Sequence, residues 1–351
     1  MPGTAAHADD DTAARLRLRD ELARSGLKIA QPDDPPLFTR VPESSMRPMH
    51  WRWAELETFL QELGQVLDLR PGGDRRTLRL ANPGLDFGTT PTFWASIQYI
   101  NPGEVATAHR HTPDAFRFVM YGNGCRTTVD GENYAMSEGD LVLTPNWTWH
   151  DHVHNGDEPM IWLDVLDVSL IRKLENTFFD PYPQDVQPVG EQPEKSWREF
   201  GSGLLRPVGA APAVQHNPLL VYSREQAEAA LELAKGLAPD PCDDVILEYQ
   251  NPAGGGPALP SMSMKTQVLR PGFHGLTYRH SGSKVYWVID GAGTSFVGDE
   301  RFDWGKGDFV AVPPWSPVRH VNDHDAEAKL FRVDDSPLYR TLNIYHEEIT
   351  Q

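Results

Sequence analysis

Glu-Gly-Asp-Leu-Val-Leu-Thr-Pro-Asn-Trp, residues 138–147, returns as Lys-Gly-Asp-Phe-Val-Ala-Val-Pro-Pro-Trp at 306–315. Two further pairs keep nearly the same offset: Val-Met-Tyr-Gly-Asn-Gly (119–124) with Val-Ile-Asp-Gly-Ala-Gly (288–293), and Pro-Gly-Glu (102–104) with Pro-Gly-Phe (271–273). The chain therefore reads as two copies of one unit of roughly 80 residues. Within each copy, short apolar runs are separated by Pro-Gly, Gly-Asn-Gly, Asp-Gly and Gly-Asp turns, the grammar of antiparallel strands. A closed unit of this kind has an apolar, sealed side and an opposite side carrying loops and a mouth.

Around the copies the expected organisation is as follows. Residues 1–10 are small and acidic and read as a disordered tail. Residues 11–81 read as a helical N-terminal region, with one helix at 11–30 and another at 52–69. In the latter, Trp53, Leu56, Phe59, Leu60, Leu63 and Leu67 recur at helical spacing. The first β domain spans 82–171. A Pro-rich linker covers 172–257 and holds a helix at 224–237, opened by Ser223 and Gln226 in capping-box spacing. The second β domain spans 258–351.

Composition narrows the class. With 39% hydrophobic and 23% charged residues the chain reads as an ordinary soluble protein. A net charge of -18 argues against nucleic-acid binding, which needs a basic footprint. It also means that an anionic substrate would need a local positive centre. Cys125 and Cys242 form no disulfide framework, which fits a reducing compartment. There is no apolar run of about 18 residues and no signal-peptide pattern, so the expectation is a cytoplasmic protein without membrane contact.

The chemistry is concentrated in Ala-His-Arg-His-Thr (108–112) and Thr-Pro-Asn-Trp-Thr-Trp-His-Asp-His (144–152). On a strand, His109 and His111 share a face. Imidazole is a common ligand of first-row metals, so the pair plus His150 makes a candidate three-nitrogen site. A polar barrel lining without metal is the alternative, although Arg110 between the pair suits an outward position.

Both copies resemble cupin domains. The first cupin pattern is met by Gly103, His109, His111 and Gly122, with Ala115 at the place of the family's Glu. The second is met by Gly139, Pro145 and His150, with Trp147 where the family more often has Gly. From about Asn82 to Glu348 the chain is similar to the bicupin gentisate 1,2-dioxygenases, whose relatives cleave salicylates and 1-hydroxy-2-naphthoate. Trp-Ala-Ser-Ile-Gln (94–98), Ala-His-Arg-His-Thr (108–112), Arg-Phe-Val (117–119), residues 144–152 and Glu-Pro-Met-Ile-Trp-Leu-Asp (158–164) carry the resemblance.

It implies a mostly β bicupin with two double-stranded β-helix barrels. It also implies one Fe(II) per chain on His109, His111 and His150, with O₂ and a small aromatic hydroxy acid as reactants, and a homotetramer. Three neutral imidazoles leave the ion its full +2 charge, and three facial ligands leave open positions for a chelating 2-hydroxybenzoate and O₂. Gln98 and Arg117 are expected on the substrate, Arg117 through its carboxylate. Trp94 would wall the ring pocket, His152 would act as acid/base, and Asp164 would orient a ligand from behind. One of Arg75, Arg76 and Arg79 would make a second anionic-group contact.

In the second copy the aligned positions are Tyr278, His280 and Val318, with His320 matching His152, so that barrel is expected to be metal-free. Ser96, Asp114, Phe116 and Tyr121 depart from the gentisate pattern, and Ser96 is a candidate partner for a ring substituent or a water. Gentisate, a 5-substituted salicylate and 1-hydroxy-2-naphthoate therefore all stay open as substrates. A Zn²⁺ or Mn²⁺ cupin isomerase or hydrolase and a non-catalytic bicupin are the competing classes.

Overall fold

The repeated Gly-Asp pair of the opening stretch turns out to be where the two halves grip one another. The computed structural model describes residues 5–30, 34–67, 76–202, 205, 207, 208 and 216–350, with side chains from residue 13 onward. Met1–Glu43 and Ser44–Gln351 are separate compact units. The first contains α1 (Ala5–Arg24), which starts earlier than the helix expected at 11–30 and takes in part of the segment read as a disordered tail.

In the second unit, β1 (Met49–Trp51), α2 (Trp53–Val66) and β2 (Thr77–Arg79) precede the first barrel. That barrel is built from β3 (Trp94–Ile100), β4 (Val105–His111), β5 (Ala115–Tyr121), β6 (Cys125–Val129), β7 (Glu132–Ala135), β8 (Leu141–Thr144), β9 (His150–His154) and β10 (Met160–Leu166). The connection holds α3 (Val168–Lys173), β11 (Phe179–Pro181), α4 (Lys195–Phe200), β12 (Val221–Tyr222), α5 (Arg224–Ala234) and β13 (Val245–Glu248). The second barrel contains β14 (Ser263–Leu269), β15 (Phe273–His274), β16 (Thr277–His280), β17 (Lys284–Asp290), β18 (Ala292–Val297), β19 (Glu300–Gly305), β20 (Phe309–Val312), β21 (Val318–Asn322) and β22 (Ala328–Asp334). It is followed by α6 (Ser336–Thr341) and β23 (Glu347–Thr350).

Each barrel is a pair of antiparallel sheets, as the turn grammar predicts. The first combines β12-β8-β5-β10-β3-β2 with β11-β4-β9-β6-β7, and the second combines β1-β20-β17-β22-β14-β13 with β19-β18-β21-β16-β23. The region expected to be helical and the linker thus supply five strands, β1, β2, β11, β12 and β13. Each is two to four residues long, too short for alternation to register in the sequence.

Two of them are exchanged between halves. β1 precedes the first barrel but pairs with β20 of the second, Met49 opposite Ala311. β12 precedes the second barrel but pairs with β8 of the first, Val221 opposite Val142. The helix after each exchanged strand is received identically. Asp308 Oδ1 accepts the Trp53 backbone N–H at 2.8 Å, and Asp140 Oδ1 accepts that of Arg224 at 3.0 Å. A carboxylate there satisfies a donor that a helix start leaves orphaned. The glycines beside them, Gly139 and Gly307, both have φ +88°, and a Cβ would strike Arg224 or Trp53 within 2.6 Å. Only glycine fits.

The sheets β12-β8-β5-β10-β3-β2 and β1-β20-β17-β22-β14-β13 lie face to face over one apolar core. Phe116, Phe118, Leu141, Leu143 and Leu163 meet Val285, Trp287, Phe309 and Phe331, and α2 adds Leu56 and Leu60. The other face of each sheet lines its own barrel. In the first, Ile100, Val119, Tyr134, Val142, Met160 and Trp162 fill the sealed end.

Polar links cross between the barrels in matched positions. Ser261 donates to Asp167 Oδ2 at 2.7 Å, and Thr92 donates to Asp335 Oδ2. Burial pushes Asp167 up to about 7, aided by nearby Asp114, and burial pushes Asp335 up to about 6. Against an unfolded value near ~3.9, the folded chain binds these protons more tightly. The stability they contribute is greatest below the unfolded value and declines as pH rises to the folded values, then stays level. Thermal midpoints measured from pH 4 to 8 should therefore carry a falling component between about 4 and 7, reduced in Asp167→Asn. An identical pH slope in the variant would refute this.

Candidate active site

Histidines 109 and 150 are direct cross-strand partners on β4 and β9, just beyond a register irregularity. His111 lies two residues further along β4. Their ligating atoms all fall within 4.8 Å of one another, and ring centroids are 4.3 Å apart for His109–His150 and 4.8 Å for His111–His150. His109 and His150 are buried, whereas His111 is half-buried towards the mouth.

Each ring is fixed by a backbone carbonyl at Nδ1. His109 donates to Thr107 O at 2.7 Å, His111 to Pro113 O at 2.9 Å and His150 to Thr148 O at 3.0 Å. A neutral imidazole that donates from Nδ1 carries its lone pair on Nε2, so three Nε2 lone pairs are presented together. Burial, then His111 and His109, holds His150 well below the ordinary imidazole range, which keeps it neutral. Its Nε2 is buried without a protein partner. A neutral all-nitrogen set with fixed tautomers fits a first-row divalent ion, and the outer carbonyls are the support such ligands need.

The adjoining sheet lines the rest of the pocket. Ser96, Asp164 and Arg117 stand in one row across β3, β10 and β5, with Arg79 opposite Ser96 on β2. Arg117 is 1% exposed; its Nη1 donates to Thr144 Oγ1 at 2.9 Å, and its Nε is 3.6 Å from Asp164 Oδ1. Gln98, also 1% exposed, has neither side-chain oxygen nor nitrogen partnered within the protein. Trp94 packs edge-on against Phe87 at 4.2 Å, its Nε1 likewise without a partner. A buried unpaired polar atom costs about 1–3 kcal/mol. Their concentration on Gln98, Trp94, Arg117 and His150 marks a pocket built for a polar ligand.

His152 is buried behind His150, its ring 5.4 Å from that of Trp162. The Thr127 hydroxyl donates to Met136 Sδ at 2.7 Å, and the same oxygen lies 2.7 Å from His152 Nδ1. With its own proton committed, Thr127 accepts from Nδ1–H, which places the His152 lone pair on Nε2.

These contacts bear on several of the expected residues. Asp164 lies beside Arg117, and the ligand histidines are oriented by backbone carbonyls in its place. The Ser96 hydroxyl donates to Asp164 O at 3.1 Å, so its proton is not available to a ring substituent. Arg76 is committed to Glu104 and Leu67 O, Arg79 lies 4.9 Å over the Trp94 ring, and Arg75 falls outside the described residues.

The sequence reading missed Thr144, Thr127 and Met136, whose roles depend on strand pairing. It also missed Phe179, brought by β11 to stack on His109 at 5.3 Å. Trp147 was signalled by standing in a Gly position. Its φ is +59°, its N–H donates to His111 O at 2.8 Å, and Arg110 lies 4.3 Å over its ring. The cation–π contact offsets part of the backbone strain.

Residues 96–166 and 265–334 each match the cupin domain family. The chain is 38% identical to a gentisate 1,2-dioxygenase of Streptomyces sp. over 88% of its own length and 90% of that protein. It is 35% identical to a 5-aminosalicylate 1,2-dioxygenase of Comamonas sp. over 94% and 89%. Its fold matches the salicylate 1,2-dioxygenase of Pseudaminobacter salicylatoxidans with a TM-score of 0.87 and 31% identity, covering 95% of this chain and 97% of that one.

Proposed function

We propose, from the premise that this chain belongs to the bicupin gentisate 1,2-dioxygenase family and is a ring-cleaving dioxygenase, that it uses iron and O₂ to open a 2-hydroxybenzoate. Cleavage falls between the carboxyl- and hydroxyl-bearing carbons. The observation that carries this reading is the set of three carbonyl-locked histidines facing unpartnered Gln98 and buried Arg117.

His109, His111 and His150 would hold one Fe(II) per chain. When bound, the ion supplies a Lewis-acidic centre on which a hydroxy acid and O₂ meet. The chain's own residues do the rest. Arg117 binds the carboxylate, its guanidinium aimed by Thr144 and Asp164. Gln98 offers both a donor and an acceptor to the substrate oxygens. Trp94 bounds the ring, and Ser96 shapes the wall beside it. His152, through its Nε2 lone pair, takes the proton that the substrate hydroxyl releases and returns it as the ring opens. The buried free thiols Cys125 and Cys242 suit a reducing, cytoplasmic setting, and among the described residues no helix is long and apolar enough to cross a membrane. Exposed Leu37 and Phe38 would be covered in a homotetramer.

The test is O₂ uptake by anaerobically iron-loaded protein across gentisate, salicylate, 5-amino- and 5-nitrosalicylate and 1-hydroxy-2-naphthoate. Uptake with at least one, yielding an acyclic product, is expected, and the ranking fixes the substrate. No uptake with any of them would sink the proposal.

A further inference from the structure

The second barrel keeps two of the corresponding histidines but reverses their polarity. His280 aligns with His111, and Gly282 with Pro113. Proline has no N–H, and the Pro113 carbonyl accepts from His111 Nδ1. Gly282 instead donates its N–H to His280 Nδ1 at 2.9 Å, so the His280 proton must sit on Nε2. The same inversion occurs at His320, the counterpart of His152. Where Met136 accepts the Thr127 proton, Trp304 Nε1 donates to Ser295 Oγ at 2.8 Å. Ser295 then sends its own proton to His320 Nδ1, 2.8 Å away, and Nε2 again carries hydrogen.

Lys284 adds to these donors from the position of Ala115. It is 0% exposed, and its Nζ has no partner, lying 4.8 Å over the Tyr278 ring. His320 Nε2 is also buried without a partner, and His280 Nε2 faces Arg332 Nη2, another donor, at 3.5 Å. The nearby acids are occupied: Asp334 by Lys265 and Arg332, Asp243 by Arg332 and Tyr278, Asp335 by Ser283 and Thr92. Burial, then Arg332, pulls Lys284 down to about 7, as befits an ammonium without a counterion.

We propose that the centre of the second barrel is a binding site for a small monovalent anion of halide or formate size, held by Lys284 Nζ and the Nε2–H of His320, the two buried groups there without a partner. One duplicated framework thus presents lone pairs to a cation in one half and hydrogens to an anion in the other.

Bromide is the probe. Crystals of the iron-loaded full chain in sodium bromide should give an anomalous peak within hydrogen-bond reach of Lys284 Nζ and His320 Nε2, absent in potassium gluconate. In solution, bromide should raise Tm above gluconate at equal ionic strength. Lys284→Met should lose that rise, and exposed Lys306→Met should keep it. Water alone at the centre, a cation there, or no bromide peak overturns the proposal. Should Lys284→Met fail to fold, the wild-type crystals decide it.

Discussion

His150→Ala should bind essentially no iron, against an expected one ion per wild-type chain. The argument rests on three facts. The three Nε2 atoms are preset by carbonyls, so each ligand contributes without reorganising. His150 Nε2 is buried and unpartnered, so it has no competing use. The three-histidine set, free of carboxylate, has no spare ligand to step in, because the usual cupin Glu position is Ala115. Loss of an outer-sphere partner typically costs ~10–100-fold in metal affinity, and loss of a ligand should exceed that. Turnover should fall to the buffer blank. Metal analysis after gel filtration reads the result; two ions in the wild-type chain, or iron retained by the variant, would contradict it.

Arg117→Met should raise KM steeply while leaving iron in place. Arg117 is 1% exposed, and its partners aim it from within the protein, Thr144 by a hydrogen bond and Asp164 by an ion pair at 3.6 Å. Removing one partner of a buried charge pair costs about 2–5 kcal/mol, so kcat/KM should fall roughly 30- to 4,000-fold. Arg117→Lys should recover only part, since an ammonium cannot offer the guanidinium's fork to a carboxylate. Part of the Arg117→Met effect will be stability, because Asp164 is left buried and unpaired. Adding Asp164→Asn should restore Tm without restoring KM. Lost iron in Arg117→Met would make this residue a scaffold for the metal site.

The duplication, the strand-rich halves and the three histidines are all legible in the sequence, because turn residues and a His-x-His spacing are local signals. What the sequence hid is whatever depends on partners far along the chain. β1 and β12 are too short to show a period, and their pairing is across halves. Asp164 was read by its chemistry as support for a ligand, whereas its strand register places it opposite Arg117. Ser96 was read by its hydroxyl, and the neighbouring strand's carbonyl claims that proton. The opposite tautomers of His111 and His280 follow from Pro113 against Gly282, a difference visible in the letters but without meaning until the ring is placed.

The strand exchange also dictates a timetable. Met49 leaves the ribosome well before its partner Ala311, and at ~5–20 residues per second the interval is on the order of tens of seconds. Throughout it α2 must keep Leu56 and Leu60 from other chains, because the surface they cover has not been made. The first barrel meanwhile waits for Val221 to close its edge at Val142. A chain stopped after the first barrel but before Val221 therefore leaves the β8 edge open and ready to recruit a neighbour.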